Sequence, residues 1–579
     1  MRKIFMTMLA LLPMLAAAQV TKNVTLKAAG DLGNQITENE KLSIVSLTIS
    51  GPMNGNDMKL LQQIVNRSKA KEKKGEFLTT SLDLSGATIQ EGKEGMKLKA
   101  DELPDNCFTD AKGLLTVKLP SGLKVINKNC FKGCNNLREI SIPASVTKID
   151  DAAFKDCKSL GAISLPSALT EIGDEAFEDC DALQVIEIPA SVKEMGSQVF
   201  NDCKVLTTIN ILGDLKKIDK STFKGCNSLQ NVGLPASLKV IDNNAFSGCK
   251  SISSLSLPDN VEEIGNGAFE DCTSLSSIAL NNVKEIENNA FQGCKSLQAV
   301  SMGNISKLGN DAFKDCTSLS SVEMQGSCKE ISAEAFSGCS SLKKVLLPSG
   351  VKEIAGNAFK ECKSLAAIDL PTSLEKIGSH AFENCSALSS IVVPNAVKKI
   401  GSSAFEDCSS LESISILGMI TEIENDMFKD CKNLRTVTLP ASVTEIGTKA
   451  FLGCAALNDI TLPVALAEIG DDAFEKCTSL TKIVIPTAVS AIGSDAFYEC
   501  TMLATVELPV ALKKIGGSAF AKCPSLREVK IGAPTPPSIS KNTFKDVNAC
   551  TFWIPKGCAT LYKADKVWSK LDTVKEQEL

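Results

Sequence analysis

The chain has 579 residues, a formal net charge of −6 and a pI of about 5.4, and this length exceeds what one compact core usually holds. This slightly acidic net charge lacks the excess of Lys and Arg that is typical of nucleic-acid-binding proteins, so no nucleic-acid partner is expected. Aromatic residues make up only 5% of the chain, and almost all of them are the 23 phenylalanines, which indicates one structural position that is filled many times.

The first element is a predicted secretory signal peptide at residues 1–18. A positive start at Arg2-Lys3 precedes an apolar run from Ile4 to Ala18, which ends in small residues that suit cleavage before Gln19. The run is too short for a membrane span. We therefore expect a mature chain without a membrane span that is secreted or held at the cell surface, with the periplasm as an alternative.

Residues 19–102 lack the repeat that fills the next part of the chain. They are predicted to form an N-terminal cap, because a stack of repeats needs polar ends. Ile44 to Ile49 and Leu82-Asp83-Leu84 show the alternation of strands. Asp57 is expected to cap a helix, and the apolar stripe of that helix consists of Met58, Leu61, Ile64 and Val65.

From residue 103 to 547 the chain repeats with a period of 23 residues. Twenty phenylalanines from Phe108 to Phe544 share this register; the spacing shortens to 22 before Phe291 and Phe313 and lengthens to 24 before Phe544. Self-similarity at a fixed short period is typical of solenoid proteins. We expect about twenty coils, each too small to bury its apolar side chains without its neighbours.

One coil reads A-F-x-x-C-x-x-L-x-x-I-x-[IL]-P-x-x-[VL]-x-x-[IM]-G, as in Ala176 to Gly196. The L-x-x-I-x-L part has the period-two alternation of a short strand, which we call the main strand, and proline ends it. The V-x-x-I part predicts a second strand, and the A-F-x-x-C part predicts a short helical or 3-10 turn with Phe inward. Strands of successive coils are then expected to pair in parallel.

This motif resembles the 23-residue repeat of the BspA-like family of bacterial surface proteins, over roughly Leu103 to Val547. The resemblance implies a curved, elongated leucine-rich-repeat solenoid with caps at both ends. Members of that family are associated with attachment to host extracellular proteins, co-aggregation and invasion. Fold does not fix a partner, so the resemblance favours adhesion without naming its target.

Eighteen of the 23 cysteines, from Cys134 to Cys523, occupy the position three residues after Phe. In stacked coils their side chains would be parallel, which places the sulfurs beyond disulfide distance, so a column of free buried thiols is expected. Cys107 with Cys130, and Cys550 with Cys558, are possible disulfide pairs whose state the sequence leaves open. Cys328 stands where other coils have Val or Leu and is expected in the core.

Residues 548–579 are predicted to form a C-terminal cap. Ala533 to Pro537 resembles a linker, and both tryptophans, Trp553 and Trp568, follow it. The aromatic residues of this segment favour a hydrophobic lid on the last coil over an aromatic binding site.

No catalytic centre is recognisable. His380 is the only histidine and stands in a variable position that predicts a surface residue. Adjacent acidic residues such as Glu178-Asp179, Glu270-Asp271 and Glu406-Asp407 recur at one place in the coil and are better explained by a solvated turn than by a glycosidase pair. We therefore expect no enzymatic activity, no cofactor and no metal site.

The outward positions of the main strands are the candidate partner-binding surface, because they form a long, weakly charged face without aromatic anchors. The predicted function is a binding scaffold for an extracellular or cell-surface protein. A passive structural or periplasmic spacer and a glycan-binding or glycan-processing protein are the alternatives. The candidate residues are Glu139, Ser141, Val185, Glu187, Ser254, Ser256, Ser413, Ser415, Thr436 and Thr438.

Overall fold

The computed structural model describes residues 19–66, 79–571 and 573–577; the predicted signal peptide lies outside them. The chain forms two compact units, Met1–Leu215 and Lys216–Leu579. Within each unit, short strands of successive coils pair in parallel, as Glu139–Ser141 does with Thr116–Lys118 and Thr436–Thr438 with Ser413–Ile416. The predicted repeat solenoid of short parallel strands is therefore confirmed.

In the first unit, three strands from the N-terminal region extend the sheet of main strands. They are Val20–Thr25, Ile44–Met53 and Ser81–Ile89. The main strands are Thr116–Lys118, Glu139–Ser141, Val185–Ile188 and Thr208–Ile211. The second strands are Glu102–Leu103, Val125–Ile126, Lys148–Ile149, Glu171–Ile172 and Glu194–Met195. The strands predicted around Ile44 and Leu82 are thus present and longer than expected, whereas the Val20–Thr25 strand was not predicted.

The second unit repeats the same two strand positions along its whole length. Its main strands are Asn231–Gly233, Ser254–Leu255, Ser277–Ile278, Ala299–Ile305, Ser321–Gly326, Lys344–Leu346, Ser390–Val393, Ser413–Ile416, Thr436–Thr438, Lys482–Val484, Thr505–Leu508, Glu528–Ile531, Thr551–Pro555 and Val574–Gln577. Its second strands are Lys217–Ile218, Val240–Ile241, Glu263–Ile264, Glu285–Ile286, Lys307–Leu308, Glu330–Ile331, Glu353–Ile354, Lys376–Ile377, Lys399–Ile400, Glu422–Ile423, Glu445–Ile446, Glu468–Ile469, Ala491–Ile492 and Lys514–Ile515.

Helices occur only near the two ends of the described chain. The α-helices are Leu32–Gln35, Glu38–Lys41, Gly55–Val65 and Ala559–Ala564, and Trp568–Lys570 is a 3-10 helix. None of the described helices combines the length and apolar character that a membrane span requires.

The expectation that Asp57 caps the third helix was wrong, because Asn54 is the N-cap residue. The Asn54 side chain accepts from the backbone N–H groups of Asn56 and Asp57, and the Asp57 carboxylate accepts from the N–H of Asn54 at 2.9 Å. This is a capping box, in which the acid stands three residues after the cap. The predicted apolar stripe is confirmed, since Met58, Leu61, Ile64 and Val65 are buried.

The A-F-x-x-C segment forms successive turns with i→i+3 backbone bonds, as expected, but no turn propagates into a helix. In the coil of Phe382, Cys385 N–H donates to the Phe382 carbonyl at 3.1 Å and Leu388 N–H to Cys385 at 3.0 Å. His380 and Asn384 both have φ of 58°. A left-handed residue on each side of Phe interrupts the helical path, because a helix requires negative φ throughout.

The repeat phenylalanines form a stacked column inside each unit. Phe108 to Phe200 stack with ring centroids 5.2 to 5.6 Å apart, and Phe223 to Phe544 with centroids 5.0 to 5.8 Å apart. The backbone is paired here as well: Phe359 N–H donates to the Ala381 carbonyl of the next coil at 2.8 Å. Hydrogen bonds between coils therefore pair the backbone polar groups of the turns as well as those of the strands.

The eighteen cysteines beside the phenylalanine column are buried and free. The Cys385 thiol donates to the carbonyl oxygen of Phe359 in the preceding coil at 3.2 Å, and the equivalent bond recurs in both units at 3.1 to 3.4 Å. Cysteine thus fills a small apolar space and also satisfies a buried carbonyl. Burial raises the pKa of these thiols, to about 12 for Cys408. Cys328 is buried, as predicted.

The segment from Ala533 to Pro537 is part of the last coils, so its interpretation as a linker was wrong. The Tyr562 hydroxyl donates to the Ala533 carbonyl and the Trp568 indole N–H to the Pro537 carbonyl, both at 2.7 Å. Tyr562 and Trp568 are almost completely buried. These contacts support the predicted hydrophobic lid, because each ring buries its apolar body and satisfies its polar atom.

Candidate functional site

The residues proposed for the main-strand face lie on the surface. Ser413 and Ser415 are half-exposed and the other eight are exposed, whereas the residues between them, such as Ile140, Ile186 and Ile414, are buried. Alternating orientation in a strand explains this pattern.

The structure brings only some of these residues together. Ser413 pairs with Thr436 and Ser415 with Thr438 on neighbouring strands. The strands that carry Glu139, Val185 and Ser254 belong to three other sheets. The ten residues are therefore repeated positions along the two units, and they form no single compact pocket.

The polar side chains of this set have no partner within the described part of the chain. None of the nine, from Glu139 and Ser141 to Thr436 and Thr438, makes a side-chain hydrogen bond or ion pair there. Their hydroxyl and carboxylate groups are left to water, which makes them available to a ligand.

The second strands present a different surface, because in several coils their charges are paired with those of the neighbouring coil. Lys352 contacts Glu375 at 2.9 Å, and Lys376 contacts Glu353 at 2.7 Å. The hydrogen bond from Lys352 lowers the pKa of the Glu375 carboxyl. Exposed ion pairs of this kind contribute little to stability. They nevertheless neutralise each other's charge, which leaves fewer unpaired charged groups for a binding partner to contact.

The recurring acidic residues serve the turns, as predicted. Asp179, Asp271 and Asp407 have φ values of 56° to 57°, a conformation that Asp and Asn adopt more readily than most residues. Glu406 beside Asp407 binds Lys429 at 2.6 Å. Partial burial and the neighbouring Asp156 and Asp202 raise the pKa of Asp179. Asp156 and Asp202 have this effect because they place like charges beside Asp179 in the adjacent coils, which disfavours its ionised form.

His380 lies on the surface as predicted. Its Nδ1 atom is 2.8 Å from a Glu383 carboxylate oxygen, and its side chain is 41% exposed. Glu383 also contacts Lys360 at 2.9 Å. Among the described residues, no group of three His, Cys, Asp or Glu side chains is arranged to hold a metal ion.

A depression interrupts the main-strand face where the two 22-residue spacings fall. It measures about 390 Å³ and involves the coils that begin at Phe269, Phe291, Phe313 and Phe336. Its lining includes Ala299 and Ser301. This depression was not predicted from the sequence, although the shortened repeat spacing was a signal for it.

In the predicted C-terminal cap, beyond the repeats for which no aromatic anchor was expected, Trp553 pairs with Lys530 of the last main strand of the repeats. Trp553 is half-exposed between the buried Phe552 and Ile554. The Lys575 ammonium lies 5.7 Å from its ring centroid, within reach of a cation–π interaction. The alternation F-W-I was the sequence signal for this orientation.

A family model described as "BspA type Leucine rich repeat region (6 copies)" matches the chain at residues 101–230, 199–320, 306–435 and 421–551. These overlapping matches cover most of the chain, including the depression and the main strands on both sides of it. No curated protein matches the chain significantly.

Solved structures of bacterial leucine-rich-repeat proteins are similar to the chain. A protein from Bacteroides ovatus is 24% identical, with 84% of this chain and 90% of that chain covered and a TM-score of 0.27. A leucine-rich cell surface protein from Faecalibacterium prausnitzii is 22% identical, with coverages of 72% and 89% and a TM-score of 0.30. A leucine-rich-repeat protein from T. pallidum is 30% identical, with coverages of 28% and 76% and a TM-score of 0.26.

Proposed function

The chain belongs to the family of BspA-type leucine-rich-repeat proteins, and from this membership we propose that it is a non-catalytic binding scaffold. Its main-strand faces contact an extended protein partner through several coils at once. The partner is an extracellular or cell-surface protein, and no cofactor takes part.

The observation that carries this proposal is the contrast between the two strand surfaces. On the main strands, Ser413, Ser415, Thr436 and Thr438 have no side-chain partner in the described chain. On the second-strand surface, by contrast, Lys352 pairs with Glu375 and Lys376 with Glu353 across coils. A surface whose small polar groups are unpaired and regularly spaced favours binding through many modest contacts.

We further propose that the protein is exported, and is then secreted or retained at the cell surface. The basic start and apolar run of residues 1–18 support this step, and attachment to other cells or to matrix accords with the roles associated with BspA-like proteins. Fractionation of the producing cells, followed by mass spectrometry of the mature N-terminus, tests it. Retention of residues 1–18 on a cytoplasmic protein would contradict export.

The binding test uses the mature chain and two internal deletions that preserve the repeat register. Removing residues 405–450 joins Ala404 to Phe451, and removing 405–496 joins Ala404 to Phe497, so both junctions keep the Ala-Phe sequence. The probes are extracellular-matrix proteins and solubilised surface proteins of neighbouring bacteria. Binding is expected to fall with the first deletion and further with the second, since multivalent contact is lost stepwise.

A single substitution, Thr438→Ala, is the matched control, and it is expected to change binding by less than about twofold because many coils share the contact. Complete loss of binding from this one substitution, or full binding by the longer deletion, would contradict a shared contact on these coils. Absence of binding to every probe would favour the passive-spacer alternative.

A further inference from the structure

The main strands change course in the second 22-residue coil, which begins at Phe291, and in the 23-residue coil that follows it. Ala299–Ile305 and Ser321–Gly326 are longer than the neighbouring main strands, and their pairing shifts register after Met302. No proline ends these two strands, so the backbone continues towards the second strand. Gly303 permits this path, because a Cβ atom there would lie 2.7 Å from the Asn281 carbonyl oxygen.

The depression on these coils is a trough with a floor of small side chains. Ala279, Ala299, Ser301 and Ser321 line it, and the first three are exposed. Its volume of about 390 Å³ falls in the range of ligand sites in proteins. Four coils at a strand spacing of about 4.8 Å give it a length of roughly 14 Å.

Two opposite charges border the trough. Ser321 is paired with Lys344 on the next strand, and Glu323 with Leu346, so Glu323 and Lys344 are diagonal neighbours. Both are exposed, and within the described residues neither takes part in an ion pair or a side-chain hydrogen bond. Elsewhere on the main strands of this unit, Glu507 is 3.6 Å from Lys482 and 3.7 Å from Lys530.

Building on the proposed function, we propose that this trough anchors one extended segment of the partner protein. The segment places small side chains on the floor formed by Ala299 and Ser301, and it presents a basic side chain to Glu323 and an acidic one to Lys344. A length of roughly 14 Å corresponds to about four residues of extended chain.

Three features of the trough favour a peptide over other ligands. None of its lining residues is aromatic, so a sugar ring would lack the usual stacking platform. One acid and one base give no excess of positive charge for a phosphate backbone. A peptide with one acidic and one basic residue complements both charges, and such complementarity determines specificity and orientation.

The probe for the test is a phage library of random linear peptides, selected on the complete mature chain. Affinities of selected peptides are measured by fluorescence anisotropy against the wild type, Ser301→Gln and the matched control Ser349→Gln. Both serines are exposed, but Ser349 lies in the turn after the main strand Lys344–Leu346, outside the candidate binding face. Ser301→Gln is expected to weaken binding at least about tenfold by occupying the trough, whereas Ser349→Gln changes it by less than about twofold.

Charge reversal gives an independent readout. Glu323→Lys combined with Lys344→Glu is expected to weaken the selected peptides at least about tenfold, and peptides whose acidic and basic residues are exchanged are expected to regain binding. Circular dichroism checks that the variants remain folded. Failure to select any peptide, equal binding by Ser301→Gln, or no rescue by exchanged peptides would overturn the inference.

These outcomes are separable from those of the coil deletions. If Ser301→Gln leaves the binding of matrix or surface proteins unchanged while deletions after Ala404 reduce it, the scaffold function stands and the trough is not its anchor. If Ser301→Gln removes this binding while the deletions leave it intact, the trough binds the partner by itself, and the proposed contact shared among the coils of residues 405–496 is wrong.

Discussion

Replacement of Phe359 by alanine tests whether the stacked column holds neighbouring coils together. Phe359 is completely buried, with its ring centroid 5.5 Å from that of Phe336 and 5.4 Å from that of Phe382. Truncation of a buried Phe to Ala costs about 3–5 kcal/mol. The loss should lie in the upper part of that range, because two ring contacts of roughly 0.5–1.5 kcal/mol each disappear with it.

Hydrogen exchange read by mass spectrometry measures this loss coil by coil. Because contacts in a solenoid are between nearest neighbours, the amides between Phe336 and Phe382 should exchange about a hundred- to several-thousand-fold faster, as each 1.4 kcal/mol is a factor of ten. Protection around Phe474 should change little. Ser390→Ala, an exposed change on the next coil, is the control and should stay within about 0.5 kcal/mol.

Unchanged protection around Phe359 would refute the assignment of this ring to the coil-to-coil core. An equal loss of protection in every coil of the second unit would instead refute nearest-neighbour coupling, since it would require the whole unit to open together.

Three further predictions concern the thiol count, the ionisation of Cys408 and a close backbone approach at Gly493. Titration of the denatured protein without reductant should count at least the eighteen column cysteines as free; a mapped Cys249–Cys272 disulfide would contradict this. Since burial raises the pKa of Cys408 to about 12, its contribution to unfolding free energy should fall by about 1.4 kcal/mol per pH unit above pH 8.5, where the unfolded thiol ionises. Hydrogen exchange of wild type and Cys408→Ala across that range measures it; equal slopes would contradict the shift. Gly493→Ala should destabilise by about 1–3 kcal/mol in thermal unfolding, because its Cβ would lie 2.4 Å from the Gly470 backbone. Gly517→Ala, whose nearest contact would be 3.7 Å, should be tolerated; equal effects of both would refute the argument.

The surface of the second strands carries alternating lysine and glutamate residues. The structure adds that they contact across coils, as Lys148 and Glu171 do at 2.8 Å. The hydrogen bond that Lys148 donates to the Glu171 carboxylate raises the pKa of Lys148. A surface that is already charge-compensated offers a partner fewer unpaired groups than the main strands do.

The sequence by itself determined the repeat register, the buried residues and the outward face. Each Phe, Cys and Ile recurs at a fixed distance, and a coil that cannot bury these side chains alone must stack on its neighbours. The period-two alternation then settles which residues of a main strand face water, so Thr436 and Thr438 could be placed without coordinates.

Only the tertiary structure shows those features that depend on contacts between segments outside the 23-residue repeat pattern. Val20–Thr25 is recognisable as a strand only beside Ile44–Met53, and Ala533 and Pro537 matter because their carbonyls meet Tyr562 and Trp568. The trough belongs to the same class. Short side chains on several coils line it together with Glu323 and Lys344. The repeat pattern in the sequence specifies which residues recur, but it does not specify the space that coils of unequal length leave between them.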